Sequence, residues 1–253
     1  MKEIDFWRKY VFFPERDYWV WPEDYGLKYE EAWFLTSDSV LLYGWWIPRG
    51  RNAVLFAHGN GGNISDCTDI AAKFYVEGFS VFFFDYRGYG KSKGEPTEKG
   101  TYKDAEGATK YLQEKLGIPL SRTVAVGESM GGAVIVHLCT RYNFRTAVLI
   151  SSATSLSQVM SHLFSDRPLN EKFAGVYDSS NKISRVHSPM MIIHGDVDEL
   201  VPFTHGKELF LRANPPKVLY RVRSAGHNDV YEKGGKRLFE RIREFVHQTK
   251  LSS

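Results

Sequence analysis

Only two cysteines, Cys67 and Cys139, occur among the 253 residues, and they stand far apart in sequence. So few thiols and no signal peptide exclude a disulfide framework and lead us to expect reduced thiols in a cytoplasmic setting. Apolar runs long enough to span a bilayer are lacking as well. A Ser/Gly/Pro-rich linker, an internal repeat and a low-complexity tract are all missing, which favours one large domain over two small ones. No Cys/His cluster has the spacing of metal ligands, so no metal is expected. Charge of one sign is not in excess either. The formal net charge is +3, and the densest basic group (Lys233, Lys236, Arg237, Arg241, Arg243) is interleaved with Glu232, Glu240 and Glu244. That pattern describes a solvated helix face and speaks against nucleic acid as a partner.

What is present is an ordinary globular composition, 43% hydrophobic and 25% charged, with enough apolar residues for a substantial core. Strand-like runs cover residues 32–37, 40–47, 53–57, 80–84, 123–126, 147–150, 190–193 and 218–222. The first two flank a Ser37-Asp38-Ser39 turn and predict an antiparallel hairpin. Helical patterns fall between the others, at 64–77 and 97–116, with a last one at 230–247. Continuous apolar strands with helical crossovers predict an α/β fold, a mostly parallel eight-stranded sheet with helices on both faces. We place this domain at residues 29–250, after an aromatic N-terminal segment, 1–28. In that segment Ile4, Trp7, Tyr10 and Val11 follow helical spacing opposite Lys2, Glu3, Arg8 and Lys9. Two readings stay open: a short helix docked on the domain, which its length favours, and an interfacial helix making peripheral membrane contact.

The sharpest local signal is G-E-S-M-G, Gly127 to Gly131, between the strand at 123–126 and a helix-like run. A serine flanked this way fits a tight strand-to-helix turn that lifts its hydroxyl above the sheet. Two further residues give Ser129 a chemical context. The strand at 190–193 runs into H-G-D-V-D-E-L-V-P, which carries Asp196 and Asp198, and the strand at 218–222 is followed by A-G-H-N-D, with His227. All lie just past a strand's carboxyl end, where open α/β sheets bind ligands. The order Ser129, Asp198, His227 is that of α/β-hydrolases, not of chymotrypsin or subtilisin. Serine is a weak nucleophile until a histidine takes its proton, and an acid must hold that histidine's tautomer. Of the eight histidines, only His227 lies in the loop directly after the last strand. Asp198 is preferred to Asp196 because its D-x-x-V-P spacing sets it one turn before Pro202. Asp229 is expected to cap the final helix.

Such a nucleophile needs backbone donors for the developing oxyanion. The expected pair is the Met130 amide and an amide from the loop H-G-N-G-G-N after the strand at 53–57, assigned to Asn60 with Gly61 as the alternative. Two decoys fail. Gly90-Lys91-Ser92 resembles the end of a Walker loop, but Asp85 stands where the motif requires glycine, and H-G-N-G-G-N does not match G-x-G-x-x-G. No cofactor is therefore expected, and Asp85 and Arg87 read as residues that fix a loop. Between the strands ending at 150 and beginning at 190 there is room only for a short lid insertion, about 152–188. Met160, Leu163, Phe164, Phe173 and Tyr177 are its candidates for an apolar acyl pocket, or else they simply cover the sheet edge.

Taken together, H-G-N-G-G-N, D-Y-R-G-Y-G-K-S-K-G-E-P, G-E-S-M-G-G, H-G-D-V-D-E-L-V-P and A-G-H-N-D resemble serine hydrolases of the α/β-hydrolase superfamily. More narrowly they are similar to its bud-emergence-type branch, which also contains eukaryotic protein depalmitoylases. The resemblance spans about residues 29–247 and implies the α/β-hydrolase fold. It also implies hydrolysis of small-molecule or lipid-like acyl esters or thioesters through an acyl-serine intermediate, with Ser129, Asp198 and His227 as catalytic residues. The sequence departs from that pattern at its N-terminus, which has neither the depalmitoylases' cysteine-rich lipidated segment nor the transmembrane helix of several relatives. Palmitoyl-protein specificity is therefore not carried over. An amidase or peptidase of the same fold and a non-catalytic binding protein are the alternatives.

Overall fold

A computed structural model describes residues 10–164 and 170–249. The chain divides into two compact units, Met1–Val124 and Ala125–Ser253.

In the first unit the elements are β1 (Phe13–Pro14), β2 (Glu30–Leu35), β3 (Leu41–Ile47), β4 (Ala53–Ala57), β5 (Gly61–Gly62), α1 (Thr68–Val76), β6 (Ser80–Phe84) and α2 (Glu98–Glu114). The main strands lie in the order β4-β6-β3-β2. The hairpin expected around Asp38 forms, with Leu35 opposite Leu41. Strand β3 is also antiparallel to β6, and β4 is parallel to β6. Sequence and burial agree here. On β2 the inward residues Ala32 and Phe34 alternate with exposed Glu31, Trp33 and Leu35, as an edge strand with one covered face requires, while all of β4 and β6 is buried. The core is built from rings, among them Tyr43, Trp45, Phe56, Phe82, Phe83, Phe84 and Tyr86. Each buried ring of this kind contributes about 2–3 kcal/mol of transfer free energy.

The predicted helix at 64–77 divides into a 3₁₀ turn, Ile64–Cys67, followed by α1. Asn63 accepts from the Ser65 amide while Asp66 accepts from the Asn63 amide, a reciprocal cap that tightens the first turn. Sequence patterning did not reveal β1. It pairs in parallel with β5, Phe13 opposite Gly61, and Asn63 Nδ2 donates to the carbonyls of Glu15 and Asp17. Val11 and Phe12 are buried, so the described part of the N-terminal segment is docked on its own unit. Ile4, Trp7 and the membrane reading attached to them lie outside the described residues.

The second unit contains β7 (Thr123–Glu128, beginning just before the boundary), α3 (Met130–Cys139), β8 (Thr146–Ile150), α4 (Leu156–Leu163), β9 (Met190–Gly195), α5 (Phe203–Arg212), β10 (Lys217–Val222) and α6 (Val230–Gln248). The strand order is β10-β9-β8-β7. Strands β8, β9 and β10 run parallel, with Ile150 opposite Ile193 and Gly195 opposite Val222. Four sheet strands in each unit account for the expected eight. This core is aliphatic, with Val134, Ile135, Val148, Leu149, Ile150, Ile192 and Ile193 all buried. Helix α6 buries Leu238, Phe239, Ile242, Phe245 and Val246, and it pairs Lys236 and Arg237 with Glu240 and Arg241 with Glu244. It kinks at Gly235, whose φ of 52° the patterning had not indicated. The lid insertion contains α4 and the 3₁₀ turns Asn170–Phe173 and Ile183–Arg185. Among the described residues no helix is long and apolar enough to cross a membrane.

Candidate active site

Strand β7 delivers Ser129, and the turn after it is as strained as its sequence implies. Ser129 has φ 51° and ψ −116°, a left-handed conformation that costs a non-glycine residue free energy and is maintained by its surroundings. A Cβ on Gly127 would overlap the Gly131 carbonyl, and one on Gly132 would overlap the Ser152 hydroxyl. Only glycine therefore lets β7 and α3 approach so closely. The Ser129 amide donates to the Ile150 carbonyl at 2.8 Å, tying the turn to the end of β8.

His227 Nε2 lies 3.0 Å from Ser129 Oγ, and His227 Nδ1 lies 2.9 Å from Asp198 Oδ2. A carboxylate only accepts, so Nδ1 carries the proton and Nε2 is free to accept from the serine hydroxyl. The three residues singled out in the sequence are thus brought into one hydrogen-bonded chain. Asp198 is 6% exposed, so its charge depends on the donors around it. Burial pushes its carboxyl upward, but His194, His227 and the Val201 amide outweigh that and hold it well below the usual carboxylate range. Its other oxygen, Oδ1, accepts from the amides of Leu200 and Val201 at 3.0 and 2.8 Å.

The neighbouring acid, Asp196, is used differently. Arg221 donates to its Oδ2 at 2.7 Å and the Ser224 amide to its Oδ1 at 2.6 Å, which anchors the loop leading to His227. Gly195 brings these loops together, since a Cβ there would overlap the Ala225 carbonyl. The glycine at the strand's end was the signal in the sequence that this contact is close. Asp229 requires a correction. It occupies the position before α6, but its side chain makes no cap hydrogen bond there; Oδ1 accepts from the Gly226 amide at 2.6 Å and closes the turn that carries His227. The tight turn, and not the helix end, thus takes up the carboxylate.

Met130 is the first residue of α3, where backbone N–H groups have no intrahelical acceptor and the helix dipole is positive. Glu128, just before the nucleophile, accepts from the Tyr231 hydroxyl at 3.0 Å, a link between β7 and α6 that no motif announced. Of the candidate pocket residues, Met160, Phe173 and Tyr177 are buried, Phe164 is half-buried and Leu163 is 41% exposed. Cys139 offers no rival nucleophile, because burial pushes its thiol up to about 12.

Asn60 belongs to the first unit. Its carbonyl accepts from the Phe13 amide at 2.9 Å and from the Tyr89 hydroxyl at 2.8 Å, and its Nδ2 donates to the Val11 carbonyl at 2.9 Å. The loop it sits in is therefore pinned from several sides. Arg87, read as a loop-fixing residue, donates to Asp104 at 2.9 Å and to Asp38 at 3.0 Å. Among the described residues no group of three or more His, Cys, Asp or Glu side chains could hold a metal ion.

Comparison with known proteins places the chain in a wider group. The family model Hydrolase_4, described as serine aminopeptidase, S33, matches residues 48–179. Protein Rv2307c of Mycobacterium tuberculosis is 35% identical over 218 residues, which cover 85% of this chain and 78% of that protein. Alpha/beta hydrolase domain-containing protein 17B of Homo sapiens is 35% identical over 206 residues, covering 79% of this chain and 68% of that one. In structure, an esterase of Pyrococcus furiosus matches with a TM-score of 0.82 at 23% identity, covering 96% of this chain and 99% of its own. The α/β-hydrolase fold expected from the sequence is the fold observed.

Proposed function

We infer that this chain, which belongs to the α/β-hydrolase family matched by the Hydrolase_4 model, is a serine hydrolase that cleaves carboxylic esters or acyl thioesters through an acyl-serine intermediate. The observation that carries this reading is the hydrogen-bonded chain Ser129–His227–Asp198, in which a neutral His227 protonated on Nδ1 turns its Nε2 lone pair to the hydroxyl. As Ser129 Oγ attacks the acyl carbon, its proton passes to His227 Nε2, and ionised Asp198 stabilises the imidazolium that forms. The carbonyl oxygen gains negative charge, and the Met130 amide at the positive end of α3 is suited to receive it. Asn60 remains our candidate for the second donor on the strength of its glycine-rich loop. Collapse of the tetrahedral intermediate expels the alcohol or thiol, which takes the proton from His227. Water activated by the same nitrogen then releases the acid and restores Ser129.

A short lid that includes Met160, Leu163 and Phe164 suits acyl groups of varied length, and no further partner is required. Amide hydrolysis is the second reading, favoured by the match to a family described as serine aminopeptidase. Turnover of p-nitrophenyl esters and acyl thioesters of graded chain length, set beside aminoacyl p-nitroanilides, decides between them. Ester or thioester turnover that disappears in Ser129→Ala supports our reading. Turnover of the anilides alone would replace it with the second, and none by folded protein would remove both.

A further inference from the structure

Behind the acid stands a second histidine that the relay does not use. His194, at the end of β9, is fully buried, and its Nε2 lies 2.7 Å from the Val201 carbonyl and 3.4 Å from Asp198 Oδ2. A carbonyl only accepts, so Nε2 must carry the proton, which is donated to Val201 while the Asp198 carboxylate lies beside the same nitrogen. Its other nitrogen, Nδ1, is buried without a hydrogen-bond partner, as suits a neutral ring in this tautomer. The ring fits only because residue 206 is glycine: a Cβ there would stand 2.7 Å from His194 Nδ1 and 3.0 Å from its Cγ. We propose that His194 is a positioning residue for the acid, holding the 198–201 turn in place and offsetting part of the Asp198 charge before that charge reaches His227. This inference rests on the hydrolase reading above.

Other titratable groups among the described residues pack near this pair. His227 approaches Asp198 from the loop after β10. On α5, His205 Nδ1 lies 2.7 Å from the Thr154 hydroxyl; burial, then His194, hold its imidazole below the ordinary range, with Glu208 opposing. His162 on α4 places its Nε2 3.0 Å from the Glu199 carbonyl, while the Glu199 side chain is exposed. Asp196 is taken up by Arg221 and the Ser224 amide. Among the described residues, His194 is the second histidine whose ring nitrogen lies against Asp198, beside His227.

Removing its N–H has a definite sign. With less of its charge offset, Asp198 attracts the imidazolium of His227 more strongly, so His227 gives up its proton at higher pH. The test compares His194→Leu, His194→Gln and Gly206→Ala with the parent. It follows the pH dependence of fluorophosphonate labelling at Ser129, together with kcat and KM on an ester. In His194→Leu we expect kcat to fall about tenfold or more with KM little changed, and the acid limb to move up by about half a unit. His194→Gln, whose amide N–H can stand near the old Nε2 position, should recover most of both. Gly206→Ala, which crowds the ring, should move them in the same direction but less. A folded His194→Leu protein with the parental acid limb overturns the inference, whatever its kcat, because a purely structural role would leave the limb in place. Should His194→Leu fail to fold, a Gly206→Ala protein with parental kcat and acid limb overturns it. A parent that does not label at Ser129 overturns the hydrolase reading and this inference together.

Discussion

In the first unit Asp85 and His58 lie 3.9 Å apart, both closed off from solvent, whereas in the second Asp198 meets His227 at 2.9 Å and the histidine side chain keeps 13% exposure. Each pair joins a buried aspartate to a histidine in a loop beyond a strand, yet the two are held in opposite states. Burial pushes Asp85 up to about 7, with Tyr18 and the Ile64 amide pulling it back only in part. Burial also pushes His58 down to about 4 against its bond to the Gly59 carbonyl. Both side chains are closed off from solvent, so neither can hand a proton to a ligand. Asp198 is subject to the same desolvation, but two histidines and two backbone amides donate to it or face it, and it stays ionised. Burying an acid beside a histidine is therefore not enough to prepare a relay. The number of donors converging on the carboxylate, and an opening for the histidine, make the difference.

Exchanging the acids should separate the pairs most strongly. Asp198→Asn would favour the wrong His227 tautomer and lower kcat by about 10⁴-fold, as such a change does in a serine relay. Asp85→Asn keeps an acceptor for the Ile64 amide and should leave kcat within about a few-fold of the parent. Comparable losses in both would break the contrast. A smaller effect falls on stability. Asp85→Ala leaves the Ile64 amide and the Tyr18 hydroxyl without their acceptor, which should cost about 2–4 kcal/mol in urea unfolding.

The smallest effect is one of pH, and its sign follows from the shift at Asp85. Its folded value, about 7, lies above that of an unfolded aspartate. A proton on Asp85 therefore favours the folded state. That contribution is complete below about pH 4 and is lost as pH rises to about 7. Asp85→Asn has no such loss, so its stability relative to the parent should increase from pH 5 to pH 8. His58, shifted the other way, weakens the fold as pH falls below about 6.5, so the change between about pH 6.5 and 8 is the part that reports on Asp85. A gap that stays constant with pH would show that Asp85 is not shifted upward.

Much of this was legible in the sequence wherever one signal sufficed. Strands β4 and β6 match their predicted runs because continuous apolar residues between turn signals have few other uses. Ser129, Asp198 and His227 could be found because each ends a strand, and topology then gathers strand ends. The pairing of β1 with β5 has no periodicity to read, for two residues on each side carry no pattern. The cap expected of Asp229 does not form, because sequence shows proximity along the chain and not which amide a carboxylate reaches in space. His194 carries no mark that distinguishes it from a buried core histidine until Val201 and Asp198 are seen beside it.

The central claim is that Ser129 is a nucleophile activated by His227. The most direct measurement treats folded protein at pH 8 with a fluorophosphonate and maps the adduct by peptide mass spectrometry. The account predicts one phosphonylated residue, Ser129, and no adduct when His227 is replaced by alanine. An unlabelled parent, an adduct on another residue, or undiminished labelling without His227 would contradict it.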